Sequence, residues 1–189
     1  MKTSETAASG SKVNIRTSVI AALISAACAV ALPQAIHVFG AVTGLGTFPG
    51  ETFLPMHLPV MVCGFLAGPL AGLAAGAASP AISTALTGMP LPAMMPFMMI
   101  ELAAYGFFAG LMKKTNGEDV SYIRLAAEVL AVQVLGRAVR AAAILIAFYG
   151  LGMKTVAPPM IYSSIATGIP GILIQLALIP AIVKAVQEK

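Results

Sequence analysis

Residues 129–152 read VLAVQVLGRAVRAAAILIAFYGLG, and residues 94–112 read MMPFMMIELAAYGFFAGLM. Each is a long apolar run interrupted by ionisable side chains, Arg137 and Arg140 in the first and Glu101 in the second. A helix of about 20 such residues crosses the ~30 Å hydrocarbon core of a bilayer. A charge at that depth costs about 3 kcal/mol on insertion scales, so it turns toward a protein interior or a polar cavity and away from lipid. The two stretches together predict a helix bundle inside a membrane, with a polar site enclosed by its helices.

The rest of the chain agrees. Of its 189 residues, 59% are hydrophobic and 10% charged, whereas a soluble domain carries about 25% charged residues. Such a chain cannot clothe a water-facing surface, so residues 1–189 read as a single transmembrane domain with no separate catalytic unit. Cys28 and Cys63 both fall inside apolar runs and read as buried thiols, not as a disulfide framework. Apolar runs predict six spanning helices, at about 13–39, 54–67, 69–87, 92–113, 122–150 and 158–186. The second is roughly two-thirds of a crossing at 1.5 Å per residue, so it tilts or starts below the surface. Only Gly68-Pro69 separates it from the third, which suggests a hairpin, proline being suited to a helix's first turn. GAVTGLGTFPGETF (residues 40–53) reads as an ordered loop outside the hydrocarbon and a candidate lid.

With both termini in the cytoplasm, Lys2, Lys12, Arg16, Lys113, Lys114, Arg124, Lys184 and Lys189 fall on the inner side and only Lys154 outside. This asymmetry follows the positive-inside rule for an even number of spans. It accounts for the formal charge of +4 without a nucleic-acid partner. Ala29-Val30-Ala31 mimics a signal-peptide cleavage site, but the apolar run continues past it and reads as a span.

Counting along the helices places Glu101 about 14 Å below the outer face, Arg140 about 15 Å and Arg137 about 20 Å. The three groups are therefore expected to meet. Gln133, Arg137, Arg140 and Ile144 follow 4-3-4 spacing and share one helix face. Met94, Met98, Glu101 and Tyr105 form a similar stripe, as do Ser164, Gly168, Gly171 and Gln175 beside a kink expected at Pro170. If Glu101 only pairs with an arginine, the pair fixes helix register. One carboxylate against two guanidinium groups, however, leaves a cationic surplus that a ligand carboxylate or other acceptor can complete. Met89, Met94, Met95, Met98 and Met99 are expected mainly as core or lipid-facing filler. His37 and His57 are expected to be satisfied or solvated near the outer surface, Glu51 solvated, and no third ligand completes a metal site. Gly64, Gly68, Gly72 and Gly76 recur every fourth residue, a spacing that lets helices approach closely.

There is no phosphate-binding GxxxxGK[ST] loop, HExxH, GxSxG or Cys/His cluster. The chain is therefore expected to be neither an ATPase nor another enzyme, and to need no cofactor. No inverted repeat of the secondary-carrier kind is visible. A polar pocket without an energy source points to partners that drive it.

LPMHLPVMVCGFLAGPLAGLAAGAASPAISTALTGMP (residues 54–90), ELAAYGFFAGLM (101–112) and LGRAVRAA (135–142) resemble the substrate-binding S-components of energy-coupling factor (ECF) transporters, over about residues 12–186. That resemblance implies an outward-facing pocket under the first outer loop, built mainly by the fourth to sixth helices. It also implies an Ala-xxx-Ala docking motif on the first helix, for a transmembrane coupling protein carrying two ABC-type ATPases. Ala22 and Ala26 match that motif best, with Ala27 and Ala31 as the other register. Metal-specific relatives carry histidine after the initiator methionine, where this chain has Lys2. Biotin-type relatives carry Gly-Pro-Thr-Gly-Gly, where this chain has Gly68-Pro69-Leu70-Ala71-Gly72.

The expected protein is thus a multi-pass plasma-membrane subunit that captures a water-soluble vitamin or precursor, with a self-sufficient carrier or channel as the alternative. Arg137 and Arg140 are expected to meet ligand acceptors, Glu101 a ligand NH group or an arginine, and Tyr105 a ring or polar edge. Ser164 belongs to the same polar faces. Gln133 and Gln175, lying deeper, either line the pocket floor or lock helices together.

Overall fold

Glycine and proline set the helix ends, and apolar sequence fills the intervals. The computed structural model describes residues 15–115 and 120–187. Lys2, Lys12, Lys189, the side chain of Lys114 and the expected helix start at residue 13 lie outside the described residues. The elements are α1 (Ile15–Thr43), α2 (Phe48–Phe53), α3 (His57–Ala67), α4 (Pro69–Thr87), α5 (Met95–Thr115), α6 (Tyr122–Leu145) and α7 (Pro159–Gln187). A π-helical turn, Ile146–Gly150, extends α6. Among the described residues, six helical stretches are long and apolar enough to cross a membrane, α2 and α3 together making the second. The protein is an all-α, multi-pass membrane protein.

The first outer loop departs from expectation. α1 runs on to Thr43, and residues 48–53 form the helix α2. Gly44 and Gly46 supply positive φ values of 75° and 58° for the reversal after α1, and Pro49 stands in the first turn of α2. α2 ends at Leu54, in the left-handed region at φ 50°, with its N–H donating to the Gly50 carbonyl. The second span is therefore a broken helix and not a short one. α7, in contrast, continues as helix through both Pro170 and Pro180.

α3 is apolar on every side, and such a helix belongs at a centre. It packs against α1, α4, α5 and α7 and buries Val60, Met61 and Phe65. α3 stops at Gly68, whose φ of 99° and ψ of 177° belong to a region open essentially to glycine, and whose successor Pro69 bars it from helical geometry. The glycine stripe then does what its spacing suggested. A Cβ at Gly64 or Gly72 would strike the Gly106 carbonyl oxygen, and one at Gly76 the Leu102 carbonyl. α5 answers with Gly106 against Gly72 and Gly110 against Pro69, so the backbones of α3, α4 and α5 touch along a seam. The Lys113 ammonium closes the far end of this seam by donating to the Leu66 carbonyl.

The two Ala-xxx-Ala registers on α1 differ in their packing. Ala26 is buried and Ala22 half-buried, and Ala22 packs with Ala21 on the cluster of Cys63, Ala67, Ala71 and Ala75. Ala26 is thus taken up inside the bundle and Ala22 only in part. Ala27 and Ala31 lie on the exposed face, as do Ile20, Leu23 and Ile24. Cys28 is likewise exposed, not buried, whereas Cys63 is buried.

At one end of the bundle α1, α4 and α6 finish. The opposite end carries Arg16, Lys113, Arg124 and Lys184, the side that the positive-inside rule assigns to the cytoplasm.

A roofed cavity with a buried carboxylate at its base

At the non-basic end the helices diverge around a cavity of about 420 Å³. α2 and the turn after it form its roof through Thr47, Gly50, Glu51 and Leu54. Pro33 and His37 of α1, Ser83 of α4 and Met98 of α5 contribute walls, with Met160, Ser164 and Thr167 of α7. Glu101, Arg137, Arg140 and His57 reach the lining from three helices. The volume lies within the ~300–1,000 Å³ range of small-molecule pockets.

Glu101 is the anchor of the base, at 1% exposure. Arg140 Nη1 lies 3.2 Å from Glu101 Oε2, and the Tyr105 hydroxyl donates to Oε1 at 3.0 Å. The 4-residue interval from Glu101 to Tyr105 puts both on one face of α5. The Tyr105 ring lies against Gly136 of α6, where a Cβ would come within 2.5 Å of it. The ion pair anticipated from helix depth is therefore present, between Glu101 and Arg140. Arg137 takes another partner: its Nη1 donates to the Ser164 carbonyl at 3.4 Å.

Tyr105, Gln133 and Gln175 are placed beside the cavity and not on its surface. Gln133 Nε2 donates to Gln175 Oε1 at 3.3 Å, and Gln175 Nε2 donates to the Leu54 carbonyl at 3.1 Å. This chain of bonds ties α6 to α7 and α7 to the roof. Both glutamines therefore cross-link elements through their side chains. Gly168 and Gly171 complete the latch. A Cβ at Gly171 would come within 2.6 Å of the Thr52 carbonyl, and one at Gly168 within 2.9 Å of Leu54 Cδ1. Gly171→Val is expected to push α2 off α7, at about 1–3 kcal/mol for such overpacking. Faster limited proteolysis in the segment 44–56 would register the unseated roof, and an unchanged cleavage rate would count against this docking.

Five residues depart from the sequence reading. Met89, Met94 and Met98 line the cavity, whereas Met95 and Met99 do not. A methionine wall adapts to flat or irregular apolar surfaces. His57 is 5% exposed and lines the cavity, so it is neither solvated nor satisfied. Its Nε2 is 3.9 Å from Glu101 Oε1, beyond hydrogen-bond reach, and its ring centroid is 5.1 Å from that of Tyr105. The available signal was the all-round apolar character of α3, which forces any histidine on it inward. His37 also lines the cavity, its ring under Gly50 of the roof, where a Cβ would come within 2.8 Å of it. Glu51 is exposed at the roof and accepts a hydrogen bond from Thr47 at 3.1 Å.

Both ring nitrogens of His57, Nε and Nη2 of Arg137, Nε of Arg140 and Oγ1 of Thr52 are buried without a hydrogen-bond partner. Buried polar atoms are satisfied by protein or water in the great majority of cases, and all of these except Thr52 Oγ1 belong to residues that line this cavity, where a polar partner can reach them. Among the described residues no group of three or more His, Cys, Asp or Glu could hold a metal ion.

Residues 13–183 match a family model described as ECF transporter, substrate-specific component. Neither a curated protein nor a solved structure matches the chain.

Proposed function

This chain belongs to the ECF transporter substrate-specific component family, and we propose that within it the protein captures a water-soluble vitamin or related small micronutrient from outside the cell. The family is one of membrane-embedded transporter components, not of enzymes. The observation that carries the proposal is the roofed cavity, which opens at the non-cytoplasmic end and is edged by unpartnered buried donors. In this reading Arg137, Arg140 and His57 meet the ligand's polar edge. The methionines and Pro33 cover its apolar face. Glu101 holds Arg140 in place, and Tyr105, Gln133 and Gln175 hold the helices that present these groups. Ser164 faces the ligand from α7.

Delivery needs the coupling protein and its two ATPases, and the exposed face of α1 is the surface offered to them. Ala27 and Ala31 stand there among Ile20, Leu23 and Ile24, and small residues at this spacing admit a partner helix closely. The test is uptake of a copurifying small molecule, identified by mass spectrometry, into cells and liposomes. Uptake is expected only with ATP and co-expressed coupling proteins. Ala27→Trp combined with Ala31→Trp is expected to abolish it while leaving ligand binding by the purified chain unchanged. Transport by the purified chain alone, driven by an ion gradient, would establish the self-sufficient carrier instead.

A further inference from the structure

We propose that the captured substrate is a small organic anion, whose negatively charged oxygens are received by Arg137 with help from His57 and Arg140. This rests on the reading of the chain as a substrate-capturing subunit. It follows from counting which charges in the cavity are already answered. Four formally charged side chains line it: Glu51, Glu101, Arg137 and Arg140. Glu101 and Arg140 answer each other at 3.2 Å, and the other Glu101 oxygen takes the Tyr105 hydroxyl. Glu51 stands exposed in the roof and is engaged by Thr47, where water screens it. Arg137 is left without a carboxylate. Its one hydrogen bond goes to a neutral carbonyl at 3.4 Å, a poor exchange for the hydration a guanidinium gives up on burial.

The unpartnered atoms have the same bias. Nε and Nη2 of Arg137 and Nε of Arg140 can only donate. His57, nine-tenths buried and on the same lining, adds one further donor together with one acceptor when neutral, and two donors when protonated. On the acceptor side, each Glu101 oxygen already holds a donor. A ligand bearing NH groups would find the exposed Glu51 and the hydroxyls of Ser163, Ser164 and Thr167, but no buried carboxylate oxygen left free, whereas one bearing a carboxylate or a comparable anionic oxygen pair would find a preformed fork. Nor can the missing counter-charge sit behind the arginines. The second void, between α6 and α7 and also touching Arg137 and Arg140, has only about 10 Å³, room for one water molecule at most. The anion therefore belongs in the main cavity, with its apolar body against Met94, Met98 and Met160.

The experiment uses the purified full chain in detergent and a yeast extract split on a strong anion exchanger at pH 8. The retained fraction holds small anions, and the flow-through holds neutral and cationic solutes. The retained fraction is expected to raise the unfolding temperature of the wild-type protein. Arg137→Met, which leaves the Glu101–Arg140 pair intact, is expected to need about tenfold to a hundredfold more of it for the same shift. Stabilisation by the flow-through with an inert retained fraction would overturn the anion assignment and leave the capture reading standing. So would an Arg137→Met protein that responds to the retained fraction as the wild type does. Silence from both fractions would remove the capture reading itself, and this inference with it. The wild-type comparison decides alone if the variant does not fold.

Discussion

Glu101→Ala is expected to lower stability by about 3–5 kcal/mol, the cost of stranding a buried charge by deleting its partner. Glu101 is 1% exposed and serves Arg140 and Tyr105 at once. Without it, two guanidinium groups face one cavity with no carboxylate at its base, and the Tyr105 hydroxyl loses its acceptor. The pair itself need contribute little net stability, because desolvating both ions offsets most of their attraction. This distinction gives the test its form. Glu101→Gln combined with Arg140→Gln removes both charges and keeps approximate volume, so it is expected to be much less damaging than the sum of the single variants. Reversible unfolding in detergent would measure the coupling, and additive losses would mean that the 3.2 Å approach carries no energy. Ligand retention should fall in every member of the cycle, since Arg140 is held on the lining by Glu101.

That pair was legible in the sequence because ionisable residues in an apolar run have few places to go. Residue counting put Glu101 and Arg140 at nearly equal depth, and helical periodicity put Gln133, Arg137, Arg140 and Ile144 on one face. Both inferences use only the 1.5 Å rise and the 3.6-residue turn. The six spans followed for the same reason, with the break at Gly68-Pro69 given by backbone sterics alone.

What escaped was the rotation of apolar helices about their own axes. In water, a polar face reveals the exposed side of a helix. In a bilayer, lipid and core are alike apolar, so α1 and α3 read the same from every direction. Ala22 and Ala26 matched the docking motif best, and nothing in the sequence showed that they pack toward Cys63 and Ala71 while Ala27 and Ala31 stay exposed. Met94 and Met98 looked like filler for the same reason. His57 was missed because its burial follows from α3 being central, which the all-round apolar character of α3 signals but no single neighbour of His57 does. The roof helix α2 was missed because FPGETF (residues 48–53) is short and holds both Pro49 and Gly50. It is held by tertiary contacts from Gly168, Gly171 and Gln175, and isolated helices of this length are not stable.

The glycine seam allows the converse argument, since there the sequence pattern pointed to a contact whose strength can now be tested. Gly106→Val is expected to destabilise the bundle by about 3 kcal/mol or more, at or beyond the upper end of overpacking costs. A Cβ at Gly106 would strike the Gly72 carbonyl group and come within 2.8 Å of its Cα. Backbone meets backbone, so no side chain can rotate to relieve the clash, and α4 and α5 must separate. Separation would propagate, because Glu101 and Tyr105 lie on α5 within two turns of this contact. Ligand binding should therefore weaken together with stability. Gly106→Ala is expected to show a smaller version, partly offset by alanine's better helix propensity, about 1 kcal/mol over glycine. Gly150→Ala is the control: its nearest neighbour outside the local backbone is Ile146 Cγ2 at 3.8 Å, ordinary contact, so it should be nearly neutral. The sharpest measurement is the double variant Gly72→Ala with Gly106→Ala. Either methyl alone already forces the helices apart, so the second should cost less than the first, and the pair less than the sum of the singles. Strictly additive losses would show that the two glycines act on separate contacts, and that the seam does not set the distance at which Glu101 is delivered to Arg140.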